Sequence, residues 1–183
     1  MEELFKKVSI EENCSYNVVY ENSYSPFVMS PFTRRVDGVQ AKSITLEIKY
    51  NNHIIKVEYK LNNDRTGILN CKLGARDRLP KFKITNKSHY WRFFNRKKNI
   101  LKIDCDEPKF KTTIEEKLNG LGIEQIARNT QFEPIIVGAN NNNNFFEIKT
   151  SFHLAFSAKK DILRPLIELY KYFVDYSINN ETK

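Results

Sequence analysis

Residues 44–59 read ITLEIKYNNHIIKVEY. Ile44, Leu46, Ile48 and Tyr50 alternate with polar residues, and beyond Asn51-Asn52 the positions His53, Ile55, Val57 and Tyr59 do the same. In a strand, successive side chains point to opposite faces. A two-residue loop pairs Tyr50 with His53, Ile48 with Ile55, Leu46 with Val57 and Ile44 with Tyr59, which puts the apolar set on one face. Asparagine tolerates the positive φ that a type I′ turn demands. The stretch therefore predicts an antiparallel hairpin with one buried face.

Downstream, Leu69, Cys71 and Leu73 alternate, as do Phe82 and Ile84 among Lys81, Lys83 and Thr85, and then Leu101, Ile103 and Cys105. Residues 134–139 lead through the run Asn140–Asn144 into a segment with Phe146, Ile148, Thr150, Phe152, Leu154 and Phe156 on one face. That pattern predicts a second hairpin with the asparagines at its tip.

Helical signals interrupt and close the strands. Ser88 is placed to cap a short helix running through Tyr90 to Arg96. Thr112 and Thr113 stand at capping-box spacing from Glu115 and Glu116, which predicts a helix with Ile114 and Leu118 inward. Gly120 and Gly122 should end it before a second one through Ile123, Ile126 and Ala127. Leu4, Phe5 and Val8 suit a short N-terminal helix. Ile162, Leu163, Leu166, Leu169, Tyr170, Phe173 and Val174 form the broad apolar face of a C-terminal helix, which Pro165 starts near Asp161 or kinks. The stretch 22–42, with Pro26 and Pro31, reads as a loop, and 177–183 as a frayed tail. The expectation is one α+β domain over residues 1–183: an antiparallel sheet built from hairpins, packed by a C-terminal amphipathic helix and one or two short inserted helices.

The formal charge of the whole chain is +8. Residues 76–98, RDRLPKFKITNKSHYWRFFNRKK, hold nine Lys or Arg against Asp77 alone, so this stretch equals the entire excess. Phe82, Tyr90, Trp91, Phe93 and Phe94 are interleaved with the cations. Such a stretch invites an anionic partner. Arg78, Lys81, Lys83, Arg92, Arg96, Lys97 and Lys98 are the candidate anion-binding residues, with Trp91 as a stacking platform for a base. The same pattern also suits a solvated cationic surface over a buried aromatic arc. Nucleic acid is the expected specific ligand, with an acidic protein as the other partner class. A single short amphipathic segment would hold a membrane surface only weakly.

The chain lacks the glycine-rich nucleotide cradles and the hydrolase elbow. His53, His89 and His153 stand apart from one another and from the cysteines, so no zinc site is expected. Asp104, Asp106 and Glu107 form one acidic cluster. Glu147-Ile148-Lys149 has the E-x-K spacing of Mg²⁺-dependent nucleases, for which Asp104 or Asp106 would supply the other carboxylate, but Glu47-Ile48-Lys49 repeats the triplet by simple strand alternation. Cys14, Cys71 and Cys105 are odd in number and widely spaced, which does not describe a disulfide framework. With no apolar leader at the N-terminus, the reading is a cytoplasmic, non-catalytic binding domain without cofactor or metal. The alternatives are a protein-binding adaptor or immunity-type protein, and less favourably the nuclease.

Overall fold

The computed structural model describes residues 1–23, 39–61, 65–74, 79–87, 99–130, 132–141, 145–154 and 161–179. Helix α1 (Glu2–Glu11) is followed by strands β1 (Tyr16–Ser23), β2 (Val39–Tyr50), β3 (His53–Lys60), β4 (Thr66–Leu73), β5 (Phe82–Asn86) and β6 (Leu101–Cys105). Helices α2 (Pro108–Gly120) and α3 (Ile123–Asn129) come next, then β7 (Ile135–Asn140), β8 (Phe146–His153) and α4 (Leu163–Asn179). The strands form one antiparallel sheet of eight in the order β1-β2-β3-β4-β8-β7-β5-β6. The expected α+β class, with hairpins and a covering C-terminal helix, is the one observed.

The hairpin of residues 44–59 has the predicted register, Ile44 opposite Tyr59 through Tyr50 opposite His53. Asn51 and Asn52 both take positive φ, 44° and 62°, as the two-residue turn requires. From this hairpin a single line of paired residues crosses every strand: Tyr16, Leu46, Val57, Leu69, Thr150, Ile136, Ile84 and Ile103. All but Tyr16 are buried.

Helices α1, α2 and α4 cover this side. Phe5 of α1 meets Tyr59 edge-on, with ring centroids 4.8 Å apart, and Phe173 of α4 lies 4.9 Å from Phe82. Phe110 of α2 stands 5.6 Å from Phe82. The polar member of the line is also satisfied. Thr150 Oγ1 lies 2.9 Å from the Tyr170 hydroxyl, which donates to the Leu69 carbonyl at 3.0 Å. Burial pushes the Tyr170 phenol well above its ordinary value, so it stays a neutral donor.

Two glycines make room for rings from the neighbouring strand. Gly138 pairs with Phe82 and Gly67 with Phe152. A methyl group at either position would fall within the opposing ring.

Several expectations need correction. The stretch 22–42 is not all loop: β1 runs to Ser23 and β2 begins at Val39, while 24–38 lie outside the described residues. Strand β1 escaped prediction because Val18, Val19 and Tyr20 are consecutive, with Val19 and Tyr20 both exposed on an edge strand, so no clean alternation marks it. Helix α2 begins at Pro108, with Glu107 as N-cap. Thr112 and Thr113 lie inside it and donate to the carbonyls of Pro108 and Lys109, so they are not caps; proline at the first helical position needs no N–H partner. The tail assigned to 177–183 is helical through Asn179, with Ser177 buried and donating to the Val174 carbonyl. Asp161 caps α4, accepting the Leu163 N–H at 2.9 Å. The helix expected from Ser88, and Phe156 and residues 180–183, lie outside the described residues.

Acidic residues fasten α1. Glu2 pairs with Lys42 on β2, Glu11 accepts two bonds from Arg164 at 2.6 and 2.7 Å, and Glu12 pairs with Lys171 at 2.8 Å. Hydrogen bonds from Lys42 and Arg164 hold the Glu2 and Glu11 carboxyls below their ordinary value of 4.5. A depressed folded value means that the stabilisation is complete above about pH 4.5 and is lost as pH falls through the folded values. Both carboxyls are solvent-exposed, so the effect is modest and screened by salt. In amide hydrogen exchange below about pH 4, α1 should lose protection before β3. Simultaneous loss would show that these pairs do not govern its docking.

The ring-over-glycine packing gives a second prediction. Gly138→Ala should destabilise by about 1–3 kcal/mol, the range for overpacking a filled core, read as a lower urea midpoint. An unchanged midpoint would mean that the Phe82 ring moves freely.

Candidate anion-binding face

The stretch 76–98 is divided by β5. Leu79, buried, and Lys81, exposed, stand before one end of that strand. Lys87 and Asn99 stand at the other, where the Lys87 N–H donates to the Ile100 carbonyl and Lys87 Nζ to the Asn99 carbonyl, both at 2.8 Å. The five residues of β5 span about 14 Å. Lys81 and Lys87 therefore stand at opposite ends of β5. Of the sequence-derived candidates, Lys81 and Lys83 are described, and both are exposed while Phe82 and Ile84 are buried. Arg78, Trp91, Arg92, Arg96, Lys97 and Lys98 lie outside the described residues.

The register shows which residues neighbour Lys83 on the side of the sheet opposite the core. Glu47, Lys56, Asn70, Lys149, Val137, Lys83 and Asp104 follow one another across seven strands. The ends of this row are neutralised locally: Lys56 pairs with Glu47 at 2.7 Å, and Asp104 is held by Lys102 at 2.8 Å. Between these pairs, Lys149 at the middle of the row and Lys83 next to Asp104 are exposed and have no carboxylate in ion-pair contact among the described residues. Two strand spacings, about 10 Å, separate their Cα positions. Lys72 lies opposite Glu147, whose carboxylate accepts from Asn70 Nδ2 at 2.7 Å. A shallow groove of about 440 Å³ beside them is lined by Asn52, His53, Ile54, Lys56, Asn70 and Lys72. Lys149 beside Lys83, and Lys72 opposite Glu147, are not evident from sequence, because the β5–β7 and β4–β8 pairings join Lys83 to Val137 and Lys72 to Glu147, 54 and 75 residues apart.

The same register separates the carboxylates of the E-x-K reading. Glu147 is on β8 and Asp104 on β6, three strand spacings or about 14 Å apart, which is too far to share one cation. Glu47 is engaged by Lys56. Among the described residues no three His, Cys, Asp or Glu side chains gather as metal ligands. His53 Nδ1 sits 2.7 Å from the Asn51 carbonyl, and His153 is on β8 opposite Thr66; His89 lies outside the described residues. The three cysteines are free, and burial pushes the Cys71 thiol up to about 12, which makes it inert as a nucleophile at neutral pH. Among the described residues, no helix is long and apolar enough to cross a membrane.

One buried carboxylate fixes the place where the chain re-enters the sheet after 88–98. Glu124 of α3, only 5% exposed, accepts the backbone N–H of Ile100 and, at 3.2 Å, that of Leu101. Arg128, one turn on, lies 3.5 Å from the same carboxylate. Removing it strands two N–H groups, each costing about 1–3 kcal/mol when buried and unpaired. Glu124→Ala should therefore lower stability by about 2–6 kcal/mol in denaturant titration. A loss below about 0.5 kcal/mol, the usual surface range, would show that water reaches both amides.

Comparison with protein-family models, curated proteins and solved structures finds no match for this chain.

Proposed function

We propose that this chain is a non-catalytic binding domain whose partner is anionic, with nucleic acid as the specific ligand. The partner is engaged by the cations of 76–98 together with Lys149 on the open side of the sheet. The observation that carries this reading is the pair Lys83 and Lys149: exposed, aligned in one row, and neither in ion-pair contact with a carboxylate among the described residues, Asp104 opposite Lys83 being engaged by Lys102. Strand pairing fixes the Cα positions of the two lysines, so only their side chains, about 2 kcal/mol of rotamer entropy each at most, have to be ordered on a phosphate. The formal net charge of +8 draws a polyanion towards that surface. The three free thiols fit a reducing, cytoplasmic setting.

The test is fluorescence anisotropy with labelled single-stranded DNA, duplex DNA and RNA at about 50 and 200 mM salt, conditions between which phosphate-dominated affinity falls steeply. The expected result is binding at the lower salt that collapses at the higher. The double variant Lys83→Ala/Lys149→Ala should bind more weakly, with a salt slope on duplex DNA reduced by about 2, one for each lost phosphate contact. No binding at the lower salt would overturn nucleic acid as the ligand. Unchanged binding by the double variant would remove the open side of the sheet from the site.

A further inference from the structure

The two edges of the sheet are unequally protected against joining another strand. Edge strands carry unpaired backbone groups, and proteins blunt them by shortness, charge, proline or a covering element. Strand β6 has such protection: it is five residues long, carries the Lys102–Asp104 ion pair, and leads directly into the proline-started α2. Strand β1 has little. It is eight residues long, YNVVYENS, with no lysine, arginine or proline and Glu21 as its one charged residue. Val19 and Tyr20 at its middle are 40% and 54% exposed. Among the described residues, its outer backbone edge meets no partner strand.

We propose that β1 is an association edge for a second copy of this chain, joining β1 to β1 antiparallel about a two-fold axis at Val19. The sequence of the strand fits itself in that register. Val19 faces Val19 of the other copy, Val18 faces Tyr20, Asn17 faces Glu21, and Tyr16 faces Asn22. Facing positions share a side of the sheet, as an antiparallel pair requires. Apolar and aromatic–β-branched pairs meet at the centre, and no like charges oppose one another. A two-fold interface built from one patch used twice closes on itself and stops at a dimer. The product is a continuous sixteen-stranded sheet in which the two open sides are contiguous. Seven paired residues cover less than the roughly 1,600 Å² of a standard interface, so the dimer is weak and concentration-dependent. This inference is independent of what the open side binds.

Sedimentation velocity from about 5 to 500 µM, around the micromolar range in which weak interfaces dissociate, tests it on the full chain. The weight-average mass should rise from 21.6 kDa towards twice that value. Val19→Lys places two ammonium groups against each other at the axis and should weaken association at least ~10-fold, since every 1.4 kcal/mol is tenfold. Val19 is solvent-exposed, so the variant should keep the parent melting temperature. Ile135→Lys, equally exposed at 48% but on the interior strand β7, should leave association unchanged. A monomer throughout the range would overturn the proposal. So would a dimer that Ile135→Lys weakens and Val19→Lys does not, because that dimer would use the open side instead.

Discussion

The structure depends on keeping one side of eight strands in register. The line from Tyr16 to Ile103 passes through every strand. A slip of one residue in any member would turn its whole apolar set to water. Near the middle of that line sits Thr150, a polar residue with no access to solvent. A buried hydroxyl without a partner is costly, yet here it is answered by Tyr170, which also reaches the Leu69 carbonyl. Helix α4 is thereby fixed in rotation and height over β4 and β8 by a hydrogen-bonded group, whereas Leu166, Leu169 and Phe173 supply burial without the same directionality.

Several features follow from this one-sided burial. Phe82 and Phe152 lean over Gly138 and Gly67 of the adjacent strands, so the ring layer beneath α1, α2 and α4 stays thin enough for those helices to approach. Rings from both sides then interlock: Phe5 with Tyr59, Phe110 and Phe173 with Phe82, and Phe132 with Phe152. With α1, α2 and α4 all on the buried side, the other side carries charged residues interspersed with exposed apolar ones such as Val19, Ile54 and Ile135. Glu124 extends the same economy to a loop, satisfying the amides of Ile100 and Leu101 from a helix that packs beside them.

The sequence was most legible where the local pattern and the burial agreed. Residues 44–59 specify both faces and the turn, and the register followed without knowledge of the fold. Helix α4 was equally plain, because its apolar face is broad and continuous. Legibility failed where long-range packing overrode local signals. Thr112 and Thr113 look like caps, yet Pro108 starts the helix a turn earlier and their hydroxyls bond backward along it. Strand β1 is held by pairing to β2, and an edge strand with one neighbour needs little alternation. For the candidate surface, local alternation correctly put Lys81 and Lys83 in solvent. It gave no sign of Lys149 beside Lys83, because strand order is set by which hairpins dock together.

The distribution of charge on the open side is itself informative. A surface shaped only for solubility tends to place opposite charges across from one another, since like neighbours repel and unlike ones stabilise each pair by about 0.2–1 kcal/mol. Two places follow that rule, Glu47 against Lys56 and Lys102 beside Asp104. Other positions depart from it: Lys49 stands opposite Ile54, Lys149 between Asn70 and Val137, and Lys83 between Val137 and an aspartate already engaged. Val137 between two lysines keeps them apart without neutralising either. Lys149 and Lys83 thus present two exposed cations on paired strands, two strand spacings apart, with no ion-pair partner among the described residues. A backbone already held by strand pairing leaves only the side chains, and not the chain that carries them, to be ordered when a partner arrives.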